Sequence, residues 1–157
     1  MNANFDFIGV SDKPALLGLT SPEWQEIARA ALTELGYKVH QAASHADFIA
    51  NFTQVPYEVT VIEEKFAADT VEENRSLEFL RSAQMSQRRH STIILVGDSF
   101  TSFDVFEALR QGVHLVVNRS EMLVLIQFIQ KAAAENEFFL HPYREAQRRL
   151  ASVGARR

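Results

Sequence analysis

The sequence predicts an α/β fold in which five parallel strands alternate with five helices. Three observations carry this. Five short runs, at 15–19, 37–42, 57–66, 92–96 and 114–117, are continuously apolar or alternate as a strand within a sheet requires. Each is followed by a segment with a helix-start signal and apolar residues at helical spacing. At 157 residues and 46% apolar, with four prolines and six glycines, the chain suits one folded domain with a full core. Such alternation implies right-handed crossovers and hence a parallel sheet.

The first run, ALLGL at 15–19, is apolar throughout, as a strand covered on both faces must be. Ser21-Pro22-Glu23 then reads as a helix start, with Ser at the N-cap, Pro at the first position and an acid in the first turn. Trp24, Ile27, Ala28, Ala31, Leu32 and Leu35 follow at helical spacing, and Gly36 closes the helix. YKVHQA at 37–42 is a second, weaker strand. Ser44 with Asp47 opens a short helix holding Phe48, Ile49 and Phe52, which Pro56 ends. YEVTVIEEKF at 57–66 is the third strand, and it runs into Glu63 and Glu64. Thr70-Val71-Glu72-Glu73 has the capping-box pattern, and Leu77, Phe79 and Leu80 give its helix an inner face. TIILV at 92–96 is the fourth strand. Thr101 or Ser102 is the expected cap of the next helix, with Phe103, Phe106 and Leu109 inside and Gly112 at its end. HLVV at 114–117 is the fifth strand, and Ser120 is expected to cap a long helix beginning at Glu121.

Two segments lie outside this count. FDFIGV at 5–10 reads either as an added edge strand or as an arm that pairs with a partner. After Asn136, Pro142 is expected to start a separate short helix, and Arg148, Arg149, Arg156 and Arg157 make a basic, solvated end.

Composition excludes several chemistries. No cysteine is present, so disulfides, thiolate metal sites and cysteine nucleophiles are excluded together. The amino terminus, MNANFDF, lacks the basic start and apolar run of a signal peptide. The strongly apolar stretch at 122–129 is too short to cross a bilayer. A formal charge of −4 gives no general attraction to nucleic acid. The expectation is a cytoplasmic domain with neither membrane nor nucleic acid as partner. His40, His45, His90, His114 and His141 show no HxxxH or HExxH spacing, and no GxGxxG, P-loop, GxSxG or DxHxxG pattern occurs. No metal and no cofactor is therefore expected.

In an open α/β sheet the chemistry sits beyond the carboxyl ends of the strands. The segments ALTELGYKVHQAAS, YEVTVIEEKF, TIILVG and EALRQGVHLVVN resemble, in order and spacing, the receiver domain of response regulators. The resemblance spans about residues 15–134. Its most telling local matches are the helix-ending Gly36-Tyr37 pair and the run from Ala108 to Gly112. It implies a flavodoxin-like sheet of order 2-1-3-4-5 with helices on both faces. It also implies a division into an N-terminal arm or edge strand (1–13), a receiver-like domain (14–136) and a C-terminal helical extension (137–157).

Activity in that family needs an acidic pair after the first strand, an aspartate acceptor after the third, a hydroxyl after the fourth and a lysine after the fifth. The carboxylates hold a magnesium ion that neutralises the incoming phosphoryl group, and the hydroxyl and lysine hold its oxygens. This chain departs at every position: Thr20 and Ser21 replace the acidic pair, Glu63 the acceptor, Gly97 the hydroxyl and Asn118 the lysine, with Arg119 following. A neutral hydroxyl in place of a carboxylate forfeits on the order of 4 kcal/mol per charge pair at ~4 Å and an effective dielectric of ~20. Asp98 is the one acid offered as compensation, but it lies one step past the strand end. No catalytic residue is therefore assigned, and no enzyme activity is expected. Thr20, Ser21, Glu63, Glu64, Gly97, Asp98 and Asn118 form a degenerate acceptor pocket.

Glu63 has three readings: a polar end to a buried strand, a permanent stand-in for a phosphorylated aspartate, or a live acceptor. Two regions suit contact better than catalysis. At 122–129 seven of eight residues are apolar, so Met122, Leu125 and Ile126 need cover on a second side. That cover is either Phe138, Phe139 and Tyr143 of the same chain or a second subunit, and the resemblance favours a homodimer. The basic run at Arg88-Arg89-His90 is either a solvated connector or a grip for an acidic partner or phosphate; the segment 65–69 is a further contact loop. The leading expectation is a pseudo-receiver, a non-phosphorylatable signalling module that works by binding protein partners. The alternatives are an atypical phosphoacceptor using Glu63 or Glu64 with Asp98, and a small-ligand sensor using the room left by Gly18 and Gly97.

Overall fold

The structure, a computed structural model, describes residues 8–9, 11–69, 71–88, 90–125 and 127–131, with 134 and 149. Strands β1 (Lys13–Gly18), β2 (Tyr37–Gln41), β3 (Val59–Glu63), β4 (Thr92–Gly97) and β5 (Leu115–Asn118) form one sheet of order β2-β1-β3-β4-β5. Every pairing is parallel. The register sets Gly18 beside Ile62, Glu63 beside Val96 and Gly97 beside Asn118, so β1, β3, β4 and β5 finish along one edge. The expected α/β class and strand order are both present.

Side-chain alternation divides the core into two layers. Ala15, Leu17, Val59, Val61, Ile94, Val96, Leu115 and Val117 point to the face covered by α1 (Pro22–Glu34) and by helical backbone at 125 and 127–131. Leu16, Ile62, Ile93, Leu95 and Val116 point to the other face, under α2 (His45–Gln54), α3 (Arg75–Ser82) and Ala108. Strands flanked by helices on both sides are covered on both faces, which is why β1, β3 and β4 read as continuous apolar runs. Each buried Leu or Ile contributes about 1.5–3 kcal/mol.

Several helix starts differ from expectation, each because a better acceptor lies nearby. Val71–Glu73 is a single 3₁₀ turn, and α3 is capped by Asn74, whose Oδ1 accepts from Leu77 N–H at 3.1 Å. Thr70, the expected cap, lies outside the described residues. The polar connector at 84–91 contains a short turn of helix, α4 (Met85–Arg88). The next helix, α5 (Val105–Gln111), is capped by Asp104, whose carboxylate takes the N–H groups of Phe106 and Glu107, rather than by Thr101 or Ser102. This later start turns the helix so that Ala108 alone is buried, while Val105, Phe106 and Leu109 are 68%, 85% and 73% exposed. The expectation that Phe106 and Leu109 lie inside is therefore corrected. Phe103 is half-buried, in the left-handed region at φ +67°, and packs edge-on against Phe128 with centroids 4.5 Å apart.

After β5 the chain makes a 3₁₀ turn, Arg119–Val124, capped by Asn118 instead of the expected Ser120. The apolar run at 122–129 splits in the way an apolar-all-round helix must. Met122, Leu125, Phe128 and Ile129 enter the core, whereas Leu123 and Val124 are exposed. Ile126, Phe138, Phe139, Tyr143 and the expected helix at Pro142 lie outside the described residues, as do Arg89, residues 1–7 and most of 137–157.

Candidate functional site

The carboxyl edge of the sheet gathers the seven positions expected there, and the chain's own side chains engage most of them. β3 delivers Glu63, half-buried, to the edge beside the β1–α1 loop, where its Oε2 accepts the Thr20 N–H at 2.8 Å. The Thr20 hydroxyl in turn accepts the Ala67 N–H at 3.0 Å, folding the loop after β3 over the place where the family carries its acidic pair. Ala67 holds a left-handed φ of +48°, costly for a residue with a Cβ, and is pinned from its other side as well. His45 Nε2 lies 3.1 Å from the Ala67 carbonyl, and its Nδ1 lies 2.8 Å from Ser76 Oγ. Because Ser76 N–H also points at Nδ1, the neutral Nε2–H tautomer satisfies all three contacts. Asn74, buried beneath the loop, donates to the carbonyls of both Glu63 and Glu64 at 2.9 and 3.1 Å. The segment 65–69, expected as a contact loop, is thus tied to the β1–α1 loop and α2, with the α3 cap Asn74 holding its base.

Glu64 turns inward. It is 8% exposed, its N–H donates to the Val96 carbonyl at 2.7 Å, and its Oε1 accepts from the Ser99 hydroxyl at 2.7 Å. Its side chain lies where Gly97 has none: a Cβ built on Gly97 would overlap Glu64 Oε2 and sit 2.8 Å from Glu64 Cβ and 3.0 Å from Phe100. The room expected at Gly18 is also taken, since a Cβ there would lie 3.0 Å from Phe48 and 3.2 Å from Phe66. The vacancy on which the small-ligand reading rests is filled, by a carboxylate at one glycine and by two aromatic rings at the other.

The fifth strand closes the edge. Asn118 donates its amide N–H to the Phe100 carbonyl (2.6 Å) and its backbone N–H to Ser102 Oγ (2.8 Å), while its Oδ1 accepts from Ser120. A lysine could not make the last of these bonds. Arg119 reaches back over the edge: its guanidinium carbon lies 3.8 Å from the centroid of the Trp24 ring, and Nη1 is 3.4 Å from Asp98 Oδ2. Both partners of that ion pair are exposed, so its contribution is about 0–1 kcal/mol. Asp98 points to solvent with Arg119 rather than toward Glu63. Ser21 flanks the α1 start without a side-chain capping bond. Among the described residues no cluster of three His, Asp or Glu side chains could hold a metal ion.

Arg88, expected as a grip for an acidic partner, is used internally. It donates to the Gly112 carbonyl, and Arg81 donates Nε–H to the Gln111 carbonyl (2.9 Å) and a second N–H to the Gln111 side chain. Two cations therefore sit at the carboxyl end of α5, where the helix dipole favours them. Arg88 also faces His114. The His114 Nδ1 accepts the Ile93 N–H at 2.9 Å, and burial of the ring, then the Arg88 charge, pulls its pKa below the ordinary value. At the opposite end of the sheet, burial and then the Asp47 charge push the Tyr57 phenol well up, and its hydroxyl meets His40 Nδ1 at 2.7 Å.

Sequence reasoning missed His45, Asn74, Ser99 and Arg81. His45, Ser99 and Arg81 act through tertiary contacts with residues far away in the chain, which no local pattern marks, whereas Asn74 also caps α3 locally and was passed over for the capping-box pattern at Thr70. The α5 surface was missed because its capping residue was misassigned.

No protein-family profile and no curated protein matches the sequence. Solved structures do match. The chemotaxis response regulator CheY4 of Vibrio cholerae is 17% identical at a TM-score of 0.60, covering 78% of this chain and 99% of its own. A CheY-like receiver domain protein from Methanospirillum hungatei is 19% identical at 0.63, covering 81% of this chain and 98% of its own. The receiver domain of a sensor histidine kinase from Pseudomonas aeruginosa, with magnesium coordinated in its active-site cleft, is 18% identical at 0.61, covering 79% and 99%. The chain has the fold of CheY-like receiver domains.

Proposed function

We propose that this chain is a receiver-like signalling module that takes no phosphoryl group and acts through protein–protein contact. One observation carries the reading: side chains of the chain itself engage the edge where phosphoryl chemistry would occur. Glu64 covers the Gly97 position, Thr20 binds the loop after β3, and Asn118 caps the turn after β5. No carboxylate stands at Thr20 or Ser21 to attract a divalent cation, and Arg119, a cation at this edge, is stacked on Trp24. The contact surface in this reading is α5, whose Val105, Phe106 and Leu109 are exposed beside a cavity of about 240 Å³. Three neighbouring exposed apolar side chains on one short helix are what an interface presents.

A two-part experiment tests it. Incubation with magnesium and acetyl phosphate or phosphoramidate, read by intact mass, should leave the protein unmodified. A stable phosphoryl adduct on Glu63 or Glu64 overturns the reading in favour of an atypical acceptor. Sedimentation velocity across a concentration series should show self-association that Phe106→Ser weakens at least tenfold. A strict monomer that also captures no protein partner through α5 overturns the interaction half.

A further inference from the structure

Glu64 is the one carboxylate buried among the described residues. Removing a carboxylate from water is unfavourable, and it persists only where the site receives it. Here the site consists of the Ser99 hydroxyl at 2.7 Å and the bare backbone of Gly97, with Phe100 on the same spot. Any side chain at position 97 would exclude it. Glu64 is held by its own backbone as well, through the Val96 carbonyl, so the carboxylate is aimed rather than merely tolerated.

Ser99 opens the loop that leads to α5. Phe100 and Ser102 are bound by Asn118, the Phe103 N–H donates to the Val116 carbonyl at 3.0 Å, and Asp104 caps the helix. Four residues separate Ser99, the Glu64 contact, from Asp104, the α5 N-cap. The helix has little core of its own, with Ala108 its single buried residue, so its ends fix its orientation: this loop at one end, Arg81 and Arg88 at the other.

We infer that the Glu64 carboxylate is a built-in anionic ligand of the strand-end site, and that by holding Ser99 it sets the 98–104 loop and the orientation in which α5 presents Val105, Phe106 and Leu109. This rests on the reading of α5 as the contact surface. The bond from Glu64 to Ser99 does not depend on that reading.

The test is hydrogen exchange, resolved by residue, on the full chain and on Glu64→Ala, Glu64→Gln and Ser99→Ala. Glu64→Ala should raise exchange of the Phe103, Phe106 and Ala108 amides about tenfold and leave β1 and α1 unchanged, because one charge-assisted hydrogen bond is lost. Glu64→Gln keeps an acceptor of the same size and should fall between. Millimolar propionate, against sodium chloride at the same ionic strength, should restore protection in Glu64→Ala by filling the vacated site. If exchange rises only at residues 63–66, or if sodium chloride protects as well as propionate, the inference is overturned. Should Glu64→Ala fail to fold, Ser99→Ala cuts the same bond from the exposed side, and unchanged α5 exchange in that variant overturns the inference equally. Self-association measured on the same samples separates the two claims. Altered exchange with unaltered association removes the α5 contact reading and leaves the Glu64 role standing.

Discussion

Gly97→Ala puts the self-filled edge to a thermodynamic test. The added Cβ would overlap Glu64 Oε2 and lie 2.8 Å from Glu64 Cβ, a separation at which something must move. Backbone movement is resisted on both sides, because Gly97 closes β4 beside Asn118 and Glu64 N–H is bound to the Val96 carbonyl. The glutamate carboxylate must therefore leave, and the contact with Glu64 Cβ, which no rotamer relieves, remains as strain. Overpacking of this kind costs about 1–3 kcal/mol, and forfeiting a hydrogen bond to a charged group adds about 1.5–3 kcal/mol. Because a displaced carboxylate regains water, the lower part of the sum applies, and the expected loss is about 3 kcal/mol. For a chain of this size that lowers Tm by about 6–12 °C. Urea titration at constant m gives the same quantity from the shift in midpoint. The decisive measurement is the double-mutant cycle with Glu64→Gly, since Glu64→Ala would leave the 2.8 Å contact in place. With the glutamate side chain absent, Gly97→Ala should cost little, giving a coupling of about 2 kcal/mol. A Gly97→Ala variant within about 0.5 kcal/mol of the parent, or a cycle that is additive, would refute the claim that Glu64 occupies this position.

Two further outcomes follow from groups held away from their ordinary state. His114 has a depressed pKa, so the folded state binds fewer protons than the unfolded state, whose histidine titrates near ~6.5. Its contribution to stability is present above that value and is lost as pH falls from it toward the folded pKa. Urea midpoints taken at steps below neutrality should fall for the parent, and His114→Gln should flatten that part of the slope; an unchanged slope removes His114 as its source. Ala67 occupies φ +48° between the Thr20 and His45 contacts, so Ala67→Gly should stabilise by about 0.5–1 kcal/mol. Thermal melting checks it, and a destabilised variant would mean that the Ala67 methyl group is worth more than its backbone strain.

What could be read in the sequence was what periodicity and local chemistry encode. TIILV at 92–96 is apolar because β4 is covered on both faces, and the Ser21-Pro22-Glu23 start of α1 is a feature of three adjacent residues. The positions of Thr20, Glu63, Gly97 and Asn118 at one edge were legible too, since a parallel sheet with its strands in register brings their carboxyl ends together. The filling of that edge was not. A glycine in a sequence reads as room, and only the tertiary structure shows that a glutamate 33 positions earlier in the chain takes up the space at Gly97. The same applies to α5, where Thr101, Ser102 and Asp104 all pass as caps on residue type. The difference of two or three positions decides which face the helix turns to solvent, because each residue rotates it by about 100°. That ambiguity hid the surface on which the proposed function depends. Both misreadings concern where a polar side chain points: Glu64 to a tertiary partner, Ser99, and Asp104 to the N–H groups of Phe106 and Glu107 two and three residues on, a choice that residue type alone does not make among Thr101, Ser102 and Asp104. The link between these two choices is the loop 98–104 itself, which begins under Glu64 and ends at the α5 cap. A single carboxylate therefore fixes the closed edge and the open face together.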